Sequence, residues 1–276
     1  MVGLKPASIN HYQAAALALT TLTAMIALED TAQLVKGQKL LVQGGAGGVG
    51  SVGIQIGHFL GAHVITTASP GNHDYVSGLG ADEVIKLPGW LDDQTAAAAF
   101  SKGCTVQYLL RRIYPVKPGD TILLHAAAGG VGLIACQWAK HLGATVIGTV
   151  GSDEKAELAR AHGCDHTIVY SRENIVERVK ALTDGAGVPV VYDSVGKDTF
   201  IASLDCLQPR GLMVSYGNAS GPVDPFSPSA LATRGSLFLT RPTLASYIST
   251  REELDVTAAD LFGVVESGAV KIGYYY

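Results

Sequence analysis

The chain repeats itself at one fixed offset, and this limits its possible folds more than any other feature. Ala46-Gly47-Gly48-Val49-Gly50 recurs 82 residues later as Ala128-Gly129-Gly130-Val131-Gly132. The same offset aligns Pro6 with Pro88, Ala14-Ala15-Ala16 with Ala96-Ala97-Ala98, Thr23 with Thr105 and Gly37 with Gly119. It also aligns His58-Phe59-Leu60-Gly61-Ala62 with Lys140-His141-Leu142-Gly143-Ala144. A long self-match at one spacing is a repeated structural unit. Two starts of one unit are present, and only the second has enough chain after it to be complete.

Each start reads as a short apolar run, a glycine-rich turn and a segment with helical spacing. Lys39 to Gln43, His63 to Thr67 and Glu83 to Ile85 read as strands, with helices at Gly48 to Leu60 and Asn72 to Leu79. Lys86-Leu87-Pro88-Gly89 punctuates the chain and restarts the pattern. Thr121 to His125, Thr145 to Thr149 and Thr167 to Tyr170 then repeat the three strands. Val188 to Tyr192, Leu212 to Tyr216 and Ser236 to Thr240 add three more. Helices are predicted at Gly130 to Leu142, Asp153 to His162, Glu173 to Leu182, Thr199 to Leu207 and Arg251 to Ser267. The expected fold is α/β: a doubly wound parallel Rossmann sheet over residues 87–276, preceded by a partial βαβαβ unit over 1–86.

Composition agrees with buried parallel strands: 47% of residues are apolar and 16% charged. A net charge of -4 without a basic block gives no reason to expect nucleic acid or an anionic membrane as partner. Cys104, Cys136, Cys164 and Cys206 lie far apart, which suits reduced thiols and a cytoplasmic protein rather than a disulfide framework. The apolar run Ala14 to Leu28 resembles a signal-peptide core. Its threonines, its shortness for a bilayer span and its partner in the second copy argue instead for a packed helix.

A strand, a glycine-rich turn and a helix N-terminus together bind a pyrophosphate, because the backbone can approach and free N–H groups face the anion. The alternative is a tight turn with no ligand. The second copy is the expected nucleotide site. Its second strand ends Gly148-Thr149-Val150-Gly151-Ser152-Asp153-Glu154-Lys155, with no acid closing the strand, a hydroxyl at Ser152 and a cation at Lys155. Asp153 and Glu154 read as first-turn helix residues. This favours NADPH over NADH, since an acid at this point would bind the ribose hydroxyl of NAD. The first copy has Ser69, Gly71 and Asn72 there and no cation.

The segments AAAGGVGLIACQWAKHLGATVIGTVGS, VVYDSVGKDTF, SLDCLQPRGLMVSYGNASG, GSLFLTRPTL and YISTREEL closely resemble NADPH-dependent quinone oxidoreductases. These form the zeta-crystallin-like branch of the medium-chain dehydrogenase/reductase superfamily. The resemblance runs from about Leu87 to Ile272, and residues 4 to 85 resemble the matching part of another member of the superfamily. It implies that Ala128, Gly129, Gly130 and Val131 hold the pyrophosphate of NADPH. Ser152, Lys155 and Tyr170 would hold the 2′-phosphate, and Gly217, Asn218 and Ser220 would line the groove. Phe238, Leu239 and Thr240 would meet the nicotinamide carboxamide, and Thr105 its ribose. On the residues alone, Phe238 and Leu239 would pass as core strand residues and Tyr170 as an edge-strand aromatic.

Members of the family begin with a β-rich catalytic domain that covers the nicotinamide, and no segment here resembles it. The expectation is therefore hydride transfer to a small quinone or enone, set against a tandem Rossmann scaffold that binds NADPH without turnover, or a truncated or engineered chimera. The resemblance also implies a homodimer joined at the strand Ser236 to Thr240. No metal site is expected: His162 and His166 are four apart, but Gly163 between them marks a helix end. Neither a Tyr-x-x-x-Lys pair nor a Gly-x-Ser-x-Gly elbow suggests another enzyme class.

Overall fold

The computed structural model describes residues 6–273; residues 1–5 and 274–276, at the outer ends of the two expected domains, lie outside the described residues. The chain divides into two compact units, Met1–Phe100 and Ser101–Tyr276.

The first unit holds α1 (His11–Met25), β1 (Lys39–Val42), α2 (Gly48–Phe59), β2 (His63–Ala68), α3 (His73–Gly78) and β3 (Glu83–Lys86). The three strands are parallel in the order β1-β2-β3. Asn10 and Gln13 form a reciprocal capping box that starts α1. A small core of Ile54, Val64, Ala68 and Val76 joins the helices to the sheet. The expectation of a packed helix over Ala14 to Leu28 is met on one side only, where the helix lies against α2. The helix continues through a π-helical turn at Ile26–Thr31, and of its residues only Ala24 and Leu28 are buried. Its helical span His11–Thr31 is 21 residues long with a mean hydropathy of 1.3, long and apolar enough to cross a membrane, so it is not too short as expected.

The second unit shows what the same helix does in a full sheet. Its elements are α4 (Asp93–Gln107, entered from the first unit), a π-helical turn (Tyr108–Ile113), β4 (Thr121–Leu124), α5 (Gly130–His141), β5 (Thr145–Val150), α6 (Asp153–Ala161) and β6 (His166–Val169). Then follow α7 (Ile175–Leu182), β7 (Val188–Asp193), α8 (Phe200–Cys206), β8 (Leu207–Ser215), α9 (Ser229–Ala232), β9 (Phe238–Thr240), α10 (Leu244–Tyr247) and α11 (Arg251–Glu266). The π-turns of the two copies sit at the same offset as the glycines. In the second unit, Gln107 donates to Asp260 on α11 at 2.9 Å, and the Tyr192 hydroxyl of β7 donates to the Leu109 carbonyl. The first unit has three strands among its described residues and no counterpart of β7 or α11, so the same face of α1 stays exposed.

The six strands of the second unit are all parallel, in the order β6-β5-β4-β7-β8-β9. Leu123, Ile147, Ile168, Val191 and Met213 are buried at its centre. The sequence order reverses between β4 and β7, where a parallel sheet opens a crevice beyond its carboxyl ends. The expected start of the fifth strand moves from Leu212 to Leu207, because a register irregularity between Val188 and Val190 lets β8 pair earlier.

Candidate cofactor site

After Leu124 the chain leaves β4 and turns into α5 within five residues. Ala126 sits in the left-handed region with φ 53°, where the first copy has Gly44 at φ 65°. The Gly129 N–H donates to the Ala126 carbonyl at 2.8 Å, and the Ala127 N–H donates to Thr149 of β5 at 3.1 Å. These two bonds fix the turn against the sheet. A side chain on Gly132 would collide with the carbonyls of Ala126 and Ala127, so the last glycine of the motif serves backbone packing. Gly130 lies in the first turn of α5 without a positive φ; a β-carbon there would meet the end of Lys102 and not a backbone atom. The obstacle at Gly130 is therefore steric only, not the disallowed backbone angle that a turn glycine suggests.

No side chain caps α5, whose N-cap is Gly129, so its first N–H groups are open. The N-cap Gly129 lies on a cavity of about 450 Å³ lined also by Ala128, by Thr149, Gly151, Lys155 and Tyr170, and by Val195, Asp198 and Thr199. Open helix N–H groups, a glycine-walled approach and a cation at the far side suit a dinucleotide pyrophosphate and its 2′-phosphate.

Beneath the cavity runs a buried chain of polar groups. Asp193, at the end of β7, accepts from the N–H groups of Val195 (2.8 Å) and Gly196 (3.0 Å). It also accepts from the hydroxyls of Thr199 (2.8 Å) and Ser203 (2.9 Å). His125 links Ser203 through Nε2 and Thr149 through Nδ1, each at 2.9 Å. Burial pushes the His125 pKa below its usual value, and the charge of Asp193 offsets part of that. The ends of β4, β5 and β7 and the start of α8 are thereby tied together, which no spacing rule applied to the sequence would reveal.

The structure brings Ala128, Gly129, Lys155 and Tyr170 to one cavity. Ser152 caps α6, accepting from the Lys155 N–H at 3.4 Å, and its hydroxyl holds the Glu154 carboxyl below the usual range. Asp153 is engaged by both terminal nitrogens of Arg172, at 2.6 and 2.5 Å. Both acids lie in the first turn of α6, as the sequence suggests. Val131 follows Gly130 in α5. Asn218 and Leu239 line a second groove of about 290 Å³ with Phe200, Phe226 and Arg241. Phe238 is 60% exposed on β9 beside Thr240, so it is no core residue. A side chain on Gly217 would collide with Ser194. Ser220 donates to the Val195 carbonyl and accepts from the Asp198 N–H. Thr105 donates back to Ser101 on its own helix at 2.9 Å. Asp198 and Thr199 also line the cavity, and no spacing rule singles them out within the segment VVYDSVGKDTF.

The corresponding polar groups of the first copy are engaged locally: Asn72 donates to Ser69 at 2.9 Å. Among the described residues no group of three or more His, Cys, Asp or Glu is placed to hold a metal. His162 instead bonds the Leu158 carbonyl of its own helix at 2.7 Å.

The zinc-binding dehydrogenase family matches residues 130–259. A quinone oxidoreductase of Pseudomonas aeruginosa is 53% identical over 230 residues, spanning 83% of this chain and 71% of that protein. A 2-haloacrylate reductase of a Burkholderia species is 48% identical over 243 residues, spanning 80% of this chain and 73% of that protein. The crystal structure of Escherichia coli quinone oxidoreductase complexed with NADPH superposes with a TM-score of 0.67 at 54% identity, over 68% of this chain. This chain covers 58% of the length of that structure. A parallel sheet with its switch point at a glycine turn, and identity above half to such a relative, lead to one assignment: the chain belongs to the quinone oxidoreductases of the medium-chain dehydrogenase/reductase superfamily.

Proposed function

We propose that the second unit binds NADPH and that the chain's reaction class is reduction of a small quinone or enone. The observation that carries the reading is the cavity that joins the uncapped N-terminus of α5 to Lys155 and Tyr170. The resemblance to an NADPH complex at 54% identity supports it.

When bound, NADPH supplies the hydride. Ala128, Gly129, Gly130 and Val131 would hold the pyrophosphate by backbone N–H groups, with no side chain between them and the anion. Lys155 would meet the 2′-phosphate, Tyr170 would stack beside it, and Ser152 would contribute from the α6 N-terminus. Gly217, Asn218 and Ser220 would line the path to β9, where Phe238, Leu239 and Thr240 would orient the nicotinamide and Thr105 its ribose. In the family it resembles the cofactor delivers the hydride directly, so the protein's contribution would be orientation and exclusion of water rather than acid–base groups. A homodimer through β9 and a cytoplasmic location complete the reading.

Exposed Phe238 favours a second reading, a scaffold that holds NADPH without turnover. Titration with NADPH, followed by its oxidation with a small quinone, separates the two. Saturable oxidation supports the reductase; binding with no oxidation supports the scaffold; no binding sinks both.

A further inference from the structure

Lys102 lies where the cofactor's charge is expected, although it is remote in sequence from the glycine motif. A β-carbon built on Gly130 would fall 2.9 Å from Lys102 Cε and 3.2 Å from its Nζ. The ammonium of α4 is thus laid across the first turn of α5. That placement is electrostatically unfavourable in the free protein. A helix N-terminus carries partial positive charge and favours anions, while cations belong at the other end. No side chain caps this terminus, and among the described residues no carboxylate pairs with Lys102. An ammonium beside an uncapped helix N-terminus becomes favourable once an anion is shared by the two.

The repeat supplies an internal comparison. At the matching position of the first copy stands Thr20, whose methyl lies 3.2 Å from a β-carbon built on Gly48. The backbone turn is the same, but no cation overlies it. The two copies therefore differ at the anion itself as well as at the 2′-phosphate end.

We infer that Lys102 is a second phosphate-binding cation of the cofactor site, directed at the pyrophosphate, while Lys155 reads the 2′-phosphate. This rests on the nucleotide-binding reading above. The pyrophosphate is common to NADPH and NADH, whereas only NADPH has the 2′-phosphate. The two lysines thus have different signatures: Lys102 sets affinity for both dinucleotides, and Lys155 sets the preference between them.

The test is a titration of the parent chain, Lys102→Met, Lys102→Arg and Lys155→Ala with NADPH and with NADH, together with thermal unfolding with and without inorganic pyrophosphate. Lys102→Met is expected to weaken both dinucleotides by the same factor, about tenfold or more for a charge-assisted contact. Lys102→Arg should restore most of the loss, and Lys155→Ala should weaken NADPH alone. Without ligand, Lys102→Met should unfold no earlier than the parent, because it removes a cation from a positive helix end. Unchanged affinities in Lys102→Met, or a loss confined to NADPH, would overturn the inference. If the parent bound neither dinucleotide, the nucleotide-binding reading would fall. The inference on Lys102 would then stand or fall on inorganic pyrophosphate: a stabilisation of the parent that Lys102→Met loses supports it, and no stabilisation of the parent overturns it.

Discussion

His125 Nε2 lies 2.9 Å from Ser203 Oγ, and because Ser203 gives its own proton to Asp193, the imidazole must be the donor. Its Nδ1 then accepts from the Thr149 hydroxyl, so the chain Thr149–His125–Ser203–Asp193 has a single direction. One neutral tautomer is thereby fixed under the glycine turn.

The pH dependence follows. The folded-state pKa of His125 is depressed below its ordinary 6.5, so the unfolded state binds the extra proton first. Stability from this group is full above about pH 6.5 and is lost as pH falls toward the folded pKa. Denaturant midpoints of the parent and of His125→Gln, measured from pH 5 to 8, should converge as pH falls. A gap that widens on acidification would contradict this direction.

Ala126 holds a left-handed backbone where the first copy uses glycine. That conformation costs an L-residue about 1–2 kcal/mol, while glycine costs about 0.5–1 kcal/mol of extra chain entropy. Ala126→Gly should therefore stabilise the second unit by up to about 1 kcal/mol in urea unfolding. A destabilisation above that size would show that the turn is unstrained.

On the proposed reading, Lys155 carries the preference for NADPH. A hydrogen bond to a charged group contributes roughly 1.5–3 kcal/mol, so Lys155→Ala should cut the NADPH/NADH affinity ratio about tenfold or more. Equal affinities for both dinucleotides in the parent chain would remove the basis of this prediction.

Phe238 and Leu239 lie exposed on the last strand of the sheet, which pairs only with β8 among the described residues. An open apolar edge is a pairing hazard unless it is covered. Light scattering should report a dimer, and Leu239→Lys should shift it toward monomer. A monomer at every concentration in the parent would rule out the dimer.

The nine strands and both glycine turns were legible in the sequence, because buried parallel strands are short apolar runs bounded by glycine. The repeat also located the two helices that precede the sheets. Whether each was packed was not legible, since that depends on β7 and α11, which lie far along the chain and serve only one copy. Ser152 illustrates a different gap. Its type suits a phosphate contact and a helix cap equally well, and only the geometry shows the cap. Lys102 could have been found by asking which aligned residues of the two copies differ in charge, but glycine spacing alone never points to it.

On the proposed reading, only one of two near-identical glycine turns holds the cofactor. Calorimetric titration of NADPH into the parent, Gly130→Val and Gly48→Val tests it most directly. A valine at Gly130 fills the space between Lys102 and the open N–H groups of α5, so binding should be abolished there and nearly unchanged in Gly48→Val. Loss of binding in Gly48→Val with retention in Gly130→Val would contradict the account.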